Sequence, residues 1–216
     1  LNQTEFVTST NANYFMLSNA LWGSMTPASW TLKVTAYQTG DPNSPTYTYN
    51  DIPLVRCNIA RVGTNSSGPP VVLIHGFNAR ADMWGQPLIS ALNADGYSVW
   101  TFEYPNRGDV RRSAGGLRAS IPMILANTPG YAKLDVIGWS LGTIVTRCYS
   151  LNYGWDASGT VAKPYRNDVR RFVSLAGPHQ GAMRGSADLL THGDNSIAGR
   201  QIENNSPLVR SLNDES

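Results

Sequence analysis

Charged residues are scarce in this 216-residue sequence, and their signs nearly cancel. The chain carries 17 Lys and Arg against 15 Asp and Glu, a net charge of +2, and charged residues make up 15% of it. A near-neutral chain gives no electrostatic reason to expect binding to nucleic acid or to an acidic membrane surface. Disorder driven by charge is excluded too, because six Trp, ten Tyr and five Phe supply large side chains for a core. Asn, Ser, Thr and Gly supply the polarity instead, which suggests a secreted or extracytoplasmic protein.

Long apolar runs and cysteine are also scarce. Apolar stretches such as residues 71–74 are far shorter than the roughly 18 residues that span a membrane, so no membrane span is predicted. The two cysteines, Cys57 and Cys148, allow one disulfide or two thiols. Cys148 falls on the inner face of a predicted helix, which favours buried thiols. Cysteine and histidine do not cluster at the spacing of metal ligands, so we predict no metal site, and no motif indicates a cofactor.

The length fits one compact domain, which we predict over residues 1–216. Its first 70 residues have an irregular pattern, with predicted strands at residues 30–38 and 54–62. The Gly, Asp and Pro residues at 40–45 predict a turn between these two strands, because such residues favour tight backbone bends.

From residue 71 to residue 216 strand and helix patterns alternate, and this region is predicted to hold the core. The apolar run at 71–75 is typical of a strand buried on both faces. Further strands are predicted at residues 97–102, 133–138 and 169–176. Strands about 30 residues apart with helices between them predict an α/β fold with a mostly parallel central sheet.

Helix boundaries in this region are predicted from capping residues and prolines. Asp82 is predicted to cap a helix that buries Leu88 and ends at Gly96. Pro122 predicts that the next helix begins near Ser120, since proline is tolerated in the first turn of a helix.

Charged residues after the strand at 97–102 are interpreted as a solvated rim: Glu103, Arg107, Asp109, Arg111 and Arg112.

The sequence Gly138-Trp139-Ser140-Leu141-Gly142 carries the sharpest chemical signal. It matches the pattern G-x-S-x-G and lies between a predicted strand and a predicted helix, which is the context of a nucleophilic serine. A turn this tight strains the serine backbone and leaves no room for Cβ atoms at the two glycines. Ser140 is therefore the predicted catalytic nucleophile, exposed above the sheet at the start of a helix.

A second motif, His75-Gly76-Phe77, closes the first buried strand and opens a loop. A tetrahedral oxyanion needs two hydrogen-bond donors, and a loop at this place can supply one of them. We predict an oxyanion hole formed by the backbone N–H groups of Phe77 and Leu141. His75 could act as a base, but the interpretation we favour is that it braces the oxyanion loop through hydrogen bonds.

Taken together, three motifs resemble those of lipases in the α/β-hydrolase superfamily. They are residues 71–77, 138–142 and 175–181, which occur in the order of that superfamily, and the resemblance covers about residues 70–213. The Pro-His-x-Gly stretch at 178–181 is a common lipase feature, whereas Trp139 stands where such lipases often have His.

This resemblance implies an α/β-hydrolase fold and a carboxylic ester hydrolase, with a lipase as the first expectation and an ester or lipid as substrate. The alternatives are an esterase or polyester depolymerase of the same fold, and a binding module that keeps the fold without catalysis. A serine hydrolase of this superfamily also needs an acid and then a histidine, in that chain order after the nucleophile.

No histidine after Ser140 follows a later predicted strand, so the base and its acid are left unassigned. One explanation is that both lie on a companion C-terminal segment and that the sheet is incomplete at that end. The other is that a histidine near residue 180 has been recruited, with a nearby aspartate to orient it. The residues that could serve are His179, His192, Asp188 and Asp194. We favour the companion segment, because the sheet would otherwise end in an open edge.

Overall fold

A computed structural model describes residues 31–38, 41–53, 57–65, 67–155, 164–182 and 196–214. The chain divides into two compact units, residues 1–51 and 52–216, which are described separately. The prediction of a single domain stays a prediction.

In the first part of the chain, strands β1 (Thr31–Gln38) and β2 (Asp41–Pro53) pair in a two-stranded sheet. The strand predicted at 30–38 is confirmed. The turn predicted over residues 40–45 is wrong, because β2 already begins at Asp41. Both strands of a two-stranded sheet are edges, and an edge tolerates prolines that lack an N–H donor.

The second unit contains a five-stranded sheet whose strands are parallel except at one edge. Its strands are β3 (Asn58–Arg61), β4 (Pro70–Ile74), β5 (Ser98–Glu103), β6 (Leu134–Trp139) and β7 (Val169–Leu175). They lie in the order β3-β5-β4-β6-β7, with β3 antiparallel to β5. This confirms the mostly parallel α/β fold and the four strands predicted after residue 70. The strand predicted over residues 54–62 is shorter in the structure, where β3 covers Asn58–Arg61.

Helices cover both faces of this sheet. They are α1 (Gln86–Ala94), α2 (Val110–Ala126), α3 (Leu141–Ser150), α4 (Ile197–Gln201) and α5 (Pro207–Asn213). The larger core lies on the face of α2 and α3, where Phe102, Leu117, Val136 and Ile144 are fully buried. A smaller core on the other face joins Val71, Leu73 and Val99 to Trp84 and to Ile89 of α1.

The helix predicted from Asp82 differs in its start and in its buried face. Asp82 lies in a 3₁₀ turn (Ala81–Met83), and α1 begins only after Gly85, with a proline in its first turn. That proline suits the first turn, where its missing N–H removes no helical hydrogen bond. The later start turns Ile89 inward and leaves Leu88 37% exposed. The predicted end is confirmed, because Gly96 has φ of +88° just beyond the helix.

The helix predicted to begin near Ser120 instead runs through Pro122 as part of α2. Its start is capped by Asp109, whose side chain accepts hydrogen bonds from the N–H groups of Arg111 and Arg112. A proline inside a helix leaves the carbonyl four residues earlier without its usual donor. Here that carbonyl belongs to Arg118, and it accepts a hydrogen bond from the guanidinium of Arg166. This long-range donor replaces the hydrogen bond that the proline removes from the helix.

Strand β7 leaves the sheet open at one side within the part of the chain that the structure describes, since it pairs there only with β6. Val173 and Leu175 are 47% and 40% exposed. They stand beside Ile137 and Trp139 of β6 in the parallel register, so these four side chains share one face. We call these four residues the β7 patch. A parallel strand with apolar side chains and an unpaired edge is a surface suited to strand addition.

Both cysteines are free thiols, as predicted. Burial is the main reason that the pKa of each rises to about 12, with Glu103 contributing at Cys57. No helix among the described residues has the length and hydropathy of a membrane span.

Candidate active site

Ser140 occupies a strained turn between β6 and α3. Its backbone has φ of +51° and ψ of −119°, a conformation that residues with a Cβ atom adopt at a cost. Two contacts hold it there: its N–H donates to the carbonyl of Leu175 at 2.8 Å, and its own carbonyl accepts from the Thr143 hydroxyl at 2.6 Å. The neighbouring strand β7 and the first turn of α3 thus fix the position of the serine.

The glycines on either side make this turn possible. A Cβ atom on Gly142 would lie 2.3 Å from the carbonyl oxygen of Ile74 and 2.6 Å from that of His75. A Cβ atom on Gly138 would lie 3.0 Å from the backbone of Gly142. The absence of side chains therefore lets the start of α3 approach the end of β4, as the sequence pattern predicts.

This close approach brings the loop after β4 beside Ser140. A Cβ atom on Gly76 would lie 2.9 Å from the Cβ atom of Ser140 and 2.6 Å from the ring of Trp139. Within the described residues, the N–H groups of Phe77 and Leu141 donate to no other residue. Leu141 is the first residue of α3, where the helix dipole favours negative charge. Two unpaired donors near one serine are what an oxyanion hole requires, and their role stays a prediction.

His75 is fully buried behind this loop and makes the contacts of a brace. Its Nδ1 lies 3.0 Å from the carbonyl oxygen of Gly76. Because a carbonyl only accepts, Nδ1 donates to it, while Nε2 lies 3.4 Å from the backbone nitrogen of Tyr104 and 3.4 Å from a carboxylate oxygen of Glu103. The Tyr104 hydroxyl in turn donates to the carbonyl of His75 at 2.7 Å, and the two rings stack 4.4 Å apart. The ring therefore serves the loop rather than the serine.

The ring of His179 is engaged by two other side chains, Ser174 and Arg147. Its Nε2 lies 2.7 Å from the hydroxyl oxygen of Ser174, and its Nδ1 lies 3.4 Å from the guanidinium of Arg147. A guanidinium only donates, so Nδ1 is the accepting nitrogen and Nε2–H donates to Ser174. Burial and then the Arg147 charge lower the pKa of His179, which keeps the ring neutral in this arrangement. The explanation in which His179 is the base for Ser140 is not favoured by these contacts.

The comparison with known families is decisive for the fold. The model of the alpha/beta hydrolase fold matches residues 69–194, more than half of the chain. The chain belongs to this family. No curated protein matches the sequence.

Solved structures show the same fold at low sequence identity. A mature lipase of Bacillus licheniformis is 18% identical with a TM-score of 0.56, over 74% of this chain and 64% of that one. Lipase B of Aspergillus fumigatus is 19% identical with a TM-score of 0.57, over 74% of this chain and 37% of that one. This hydrolase-fold chain therefore spans less than two thirds of the length of either lipase.

Two further residues of this hydrolase-fold chain contact the site and were not predicted. Thr143 bonds to the carbonyl of Ser140, and Asn106 contacts the loop after Phe77. The sequence places Asn106 in the region interpreted as a solvated rim. Arg107 is exposed, as that interpretation expects, and its Nε donates to the side chain of Asn78 at 2.8 Å. The interpretation is wrong for Glu103 and Asp109, which are half-buried and accept hydrogen bonds from backbone N–H groups. The only local signal for Asn106 is a turn-forming Pro-Asn-Arg-Gly sequence at 105–108.

The remaining candidates, His192, Asp188 and Asp194, lie outside the described residues. Among the residues that the structure does describe, no group of His, Cys, Asp and Glu side chains could hold a metal ion. The chemistry that this site can support from its described parts is therefore that of Ser140 and the backbone donors around it.

Proposed function

We propose that this chain carries the nucleophile and oxyanion hole of a carboxylic ester hydrolase, and that the enzyme is a lipase. The observation that supports this proposal best is the strained backbone of Ser140 at the start of α3, next to two N–H groups that are unpaired within the described residues. The hydroxyl of Ser140 attacks the ester carbonyl, and the N–H groups of Phe77 and Leu141 bind the oxyanion. The alcohol leaves, an acyl-enzyme remains on Ser140, and water releases the acid.

Lipase is the first choice for two reasons. The Pro-His-x-Gly stretch at 178–181 resembles lipases, and two structures that share the fold come from proteins described as lipases. A serine hydrolase that acts on other esters or on polyesters would use the same residues, so the length of the acyl chain is the property that separates them. Secretion is part of the proposal, since a surface poor in charge suits an exported protein.

We further propose that the general base and its acid come from a companion segment that adds to β7. The open edge of β7, the exposed β7 patch and the engagement of His179 by Ser174 and Arg147 support this idea. The greater length of the two lipases is compatible with it. Such a segment would cover Val173 and Leu175 and bring a histidine to Ser140.

A fluorophosphonate probe tests the nucleophile in the protein as its organism makes it. The probe should label the wild type, and Ser140→Ala should abolish labelling and lower ester turnover by about a thousandfold or more. Ser174→Ala is the matched control, because Ser174 is an exposed serine whose hydroxyl lies 2.7 Å from a histidine ring. It should label like the wild type.

If the probe still labels the Ser140→Ala variant, Ser140 is not the nucleophile. A correctly folded protein that the probe never labels would favour the rival function, a binding module without catalysis. Turnover of long-chain glycerol esters compared with short p-nitrophenyl esters then separates a lipase from an esterase.

A further inference from the structure

One peptide unit determines where the Phe77 donor points. The carbonyl of Gly76 and the N–H of Phe77 belong to the same planar trans peptide, so they point in opposite directions. The Gly76 carbonyl accepts from Nδ1 of His75 at 3.0 Å and from the N–H of Ala79 at 3.4 Å. Any force that rotates this peptide unit therefore moves the Phe77 N–H away from the oxyanion.

One amide side chain, that of Asn106, hydrogen-bonds to both of the next two residues of the loop. The N–H of Asn78 donates to Oδ1 of Asn106 at 2.9 Å, and Nδ2 of Asn106 donates to the carbonyl of Ala79 at 2.7 Å. Asn106 thus hydrogen-bonds to two consecutive loop residues, although it lies 28 residues further along the chain. We call this pair of hydrogen bonds the bracket. Asn78 has φ of +52°, so the loop turns sharply at the point that the bracket holds.

We propose that Asn106 is a positioning residue that keeps the Phe77 N–H aimed at the oxyanion. The inference deepens the proposed function and rests on it. An asparagine is required because the loop presents one N–H donor and one carbonyl acceptor. Among short side chains, only its primary amide can accept from the first and donate to the second. Strands β4 and β5 are parallel neighbours, so the loop that follows β5 lies beside the loop that follows β4. Arg107, next in sequence, adds its bond to the Asn78 side chain.

Ester turnover by the active protein tests the bracket. Asn106→Ala should lower kcat by about tenfold to a hundredfold and change KM by less than about threefold, because a misaimed oxyanion donor weakens binding of the transition state and not of the ester. The matched control is Asn65→Ala. Asn65 also brackets a loop, since its Nδ2 donates to the Gly96 carbonyl at 2.7 Å and its Oδ1 accepts from the N–H of Gly68 at 3.2 Å. That loop precedes β4 and lies at the opposite end of the strand from Ser140, so kcat should stay within about twofold.

The Asn106→Asp variant adds a readout that a general loss of stability would not move. The aspartate keeps an acceptor for Asn78 but sets an ionised oxygen against the carbonyl of Ala79. The resulting deficit in kcat, taken relative to the wild type at each pH, should shrink as the pH falls toward about 4, the ordinary pKa of an aspartate, because protonation restores a donor. A deficit that does not change with pH would contradict the bracket.

Equal losses of kcat in Asn65→Ala and Asn106→Ala would overturn the proposal, as would full turnover in Asn106→Ala. Failure of the proposed function has a different signature, namely wild-type turnover in Ser140→Ala. In that event hydrogen exchange at the N–H of Asn78 decides the question. Faster exchange in Asn106→Ala supports the bracket, and unchanged exchange refutes it.

Discussion

Ser140 adopts a backbone conformation that glycine would adopt at lower cost. With φ of +51° and ψ of −119°, the residue sits where a Cβ atom is disfavoured, a strain worth about 1–3 kcal/mol. The bonds from Ser140 N–H to Leu175 and from Thr143 to the Ser140 carbonyl offset part of this strain. A protein keeps such a residue where its side chain is worth more to function than its backbone costs in stability.

This balance predicts opposite effects on stability and activity from one substitution. Ser140→Gly should raise the free energy of unfolding by about 1 kcal/mol, because glycine adopts the same conformation without strain. Ester turnover should vanish with the hydroxyl. Urea unfolding of Ser140→Gly beside Ser140→Ala measures the difference, since alanine removes the hydroxyl but keeps the Cβ atom. Equal stability of the two variants would contradict a strained serine.

Sequence patterns predict Ser140, Phe77 and Leu141 as site residues because each lies at the junction of a strand and the next element. Their closeness in space then follows from a parallel sheet, whose strands end at one edge. Asn106 could not be predicted in the same way, because its bonds reach across 28 residues and depend on the relative placement of two loops. The role of an amide side chain of this kind becomes visible only when the tertiary structure is known.

Among the elements, strands were easier to predict than helix starts. Residues of β4 and, apart from Asp135, of β6 are apolar because both faces of the sheet are covered, so the sequence itself indicates that these strands are buried. Helix starts depend on single residues whose effect the surroundings can override. Pro122 is the clearest case, since the donor that replaces its missing N–H comes from Arg166, 44 positions away.

The contact between Arg166 and the Arg118 carbonyl predicts coupling to Pro122. Pro122→Ala restores the helical N–H for that carbonyl, so Arg166→Ala should then cost about 1 kcal/mol less than it does in the wild type. Urea unfolding of the single and double variants measures the coupling. Lys133→Ala is the matched control, because Lys133 bonds to Asn167 in the same loop and should add independently to Pro122→Ala. An additive result for Arg166 would show that another group satisfies the Arg118 carbonyl.

At the scale of the whole molecule, the sheet of this hydrolase-fold chain is well packed at its central strands and open at its β7 edge within the described residues. Strands β4, β5 and β6 are covered by helices, whereas β7 has five residues classed as exposed out of the seven in its range. Its side chains are nevertheless apolar at Val173 and Leu175, which is the pattern of a strand that has a neighbour. One proposal, a companion segment that adds to β7, therefore accounts both for the open edge and for a base that the described residues do not supply.

That proposal makes a prediction about the 216-residue chain alone. No described residue hydrogen-bonds to the Ser140 hydroxyl. If the base comes from a companion segment, the chain alone has no base at the roughly 2.6–3.2 Å that proton transfer requires, so turnover of p-nitrophenyl esters should be close to zero. Adding the segment of the natural protein that carries the acid and histidine should restore turnover, because a strand can pair with the edge of β7. Turnover at increasing concentrations of the segment measures the effect, and the mass of the chain is checked beforehand.

Two controls separate docking at β7 from a rewired site. Val173→Glu should prevent restoration of turnover, because a charge on the β7 patch would be buried against the added segment. It should leave the melting temperature of the isolated chain nearly unchanged, since the side chain is 47% exposed there. The opposite outcome is a chain that is fully active by itself and is inactivated by His179→Ala or His192→Ala. That result would mean that a histidine inside the 216 residues swings toward Ser140, and the bond between His179 and Ser174 would then be a resting state rather than a fixed anchor.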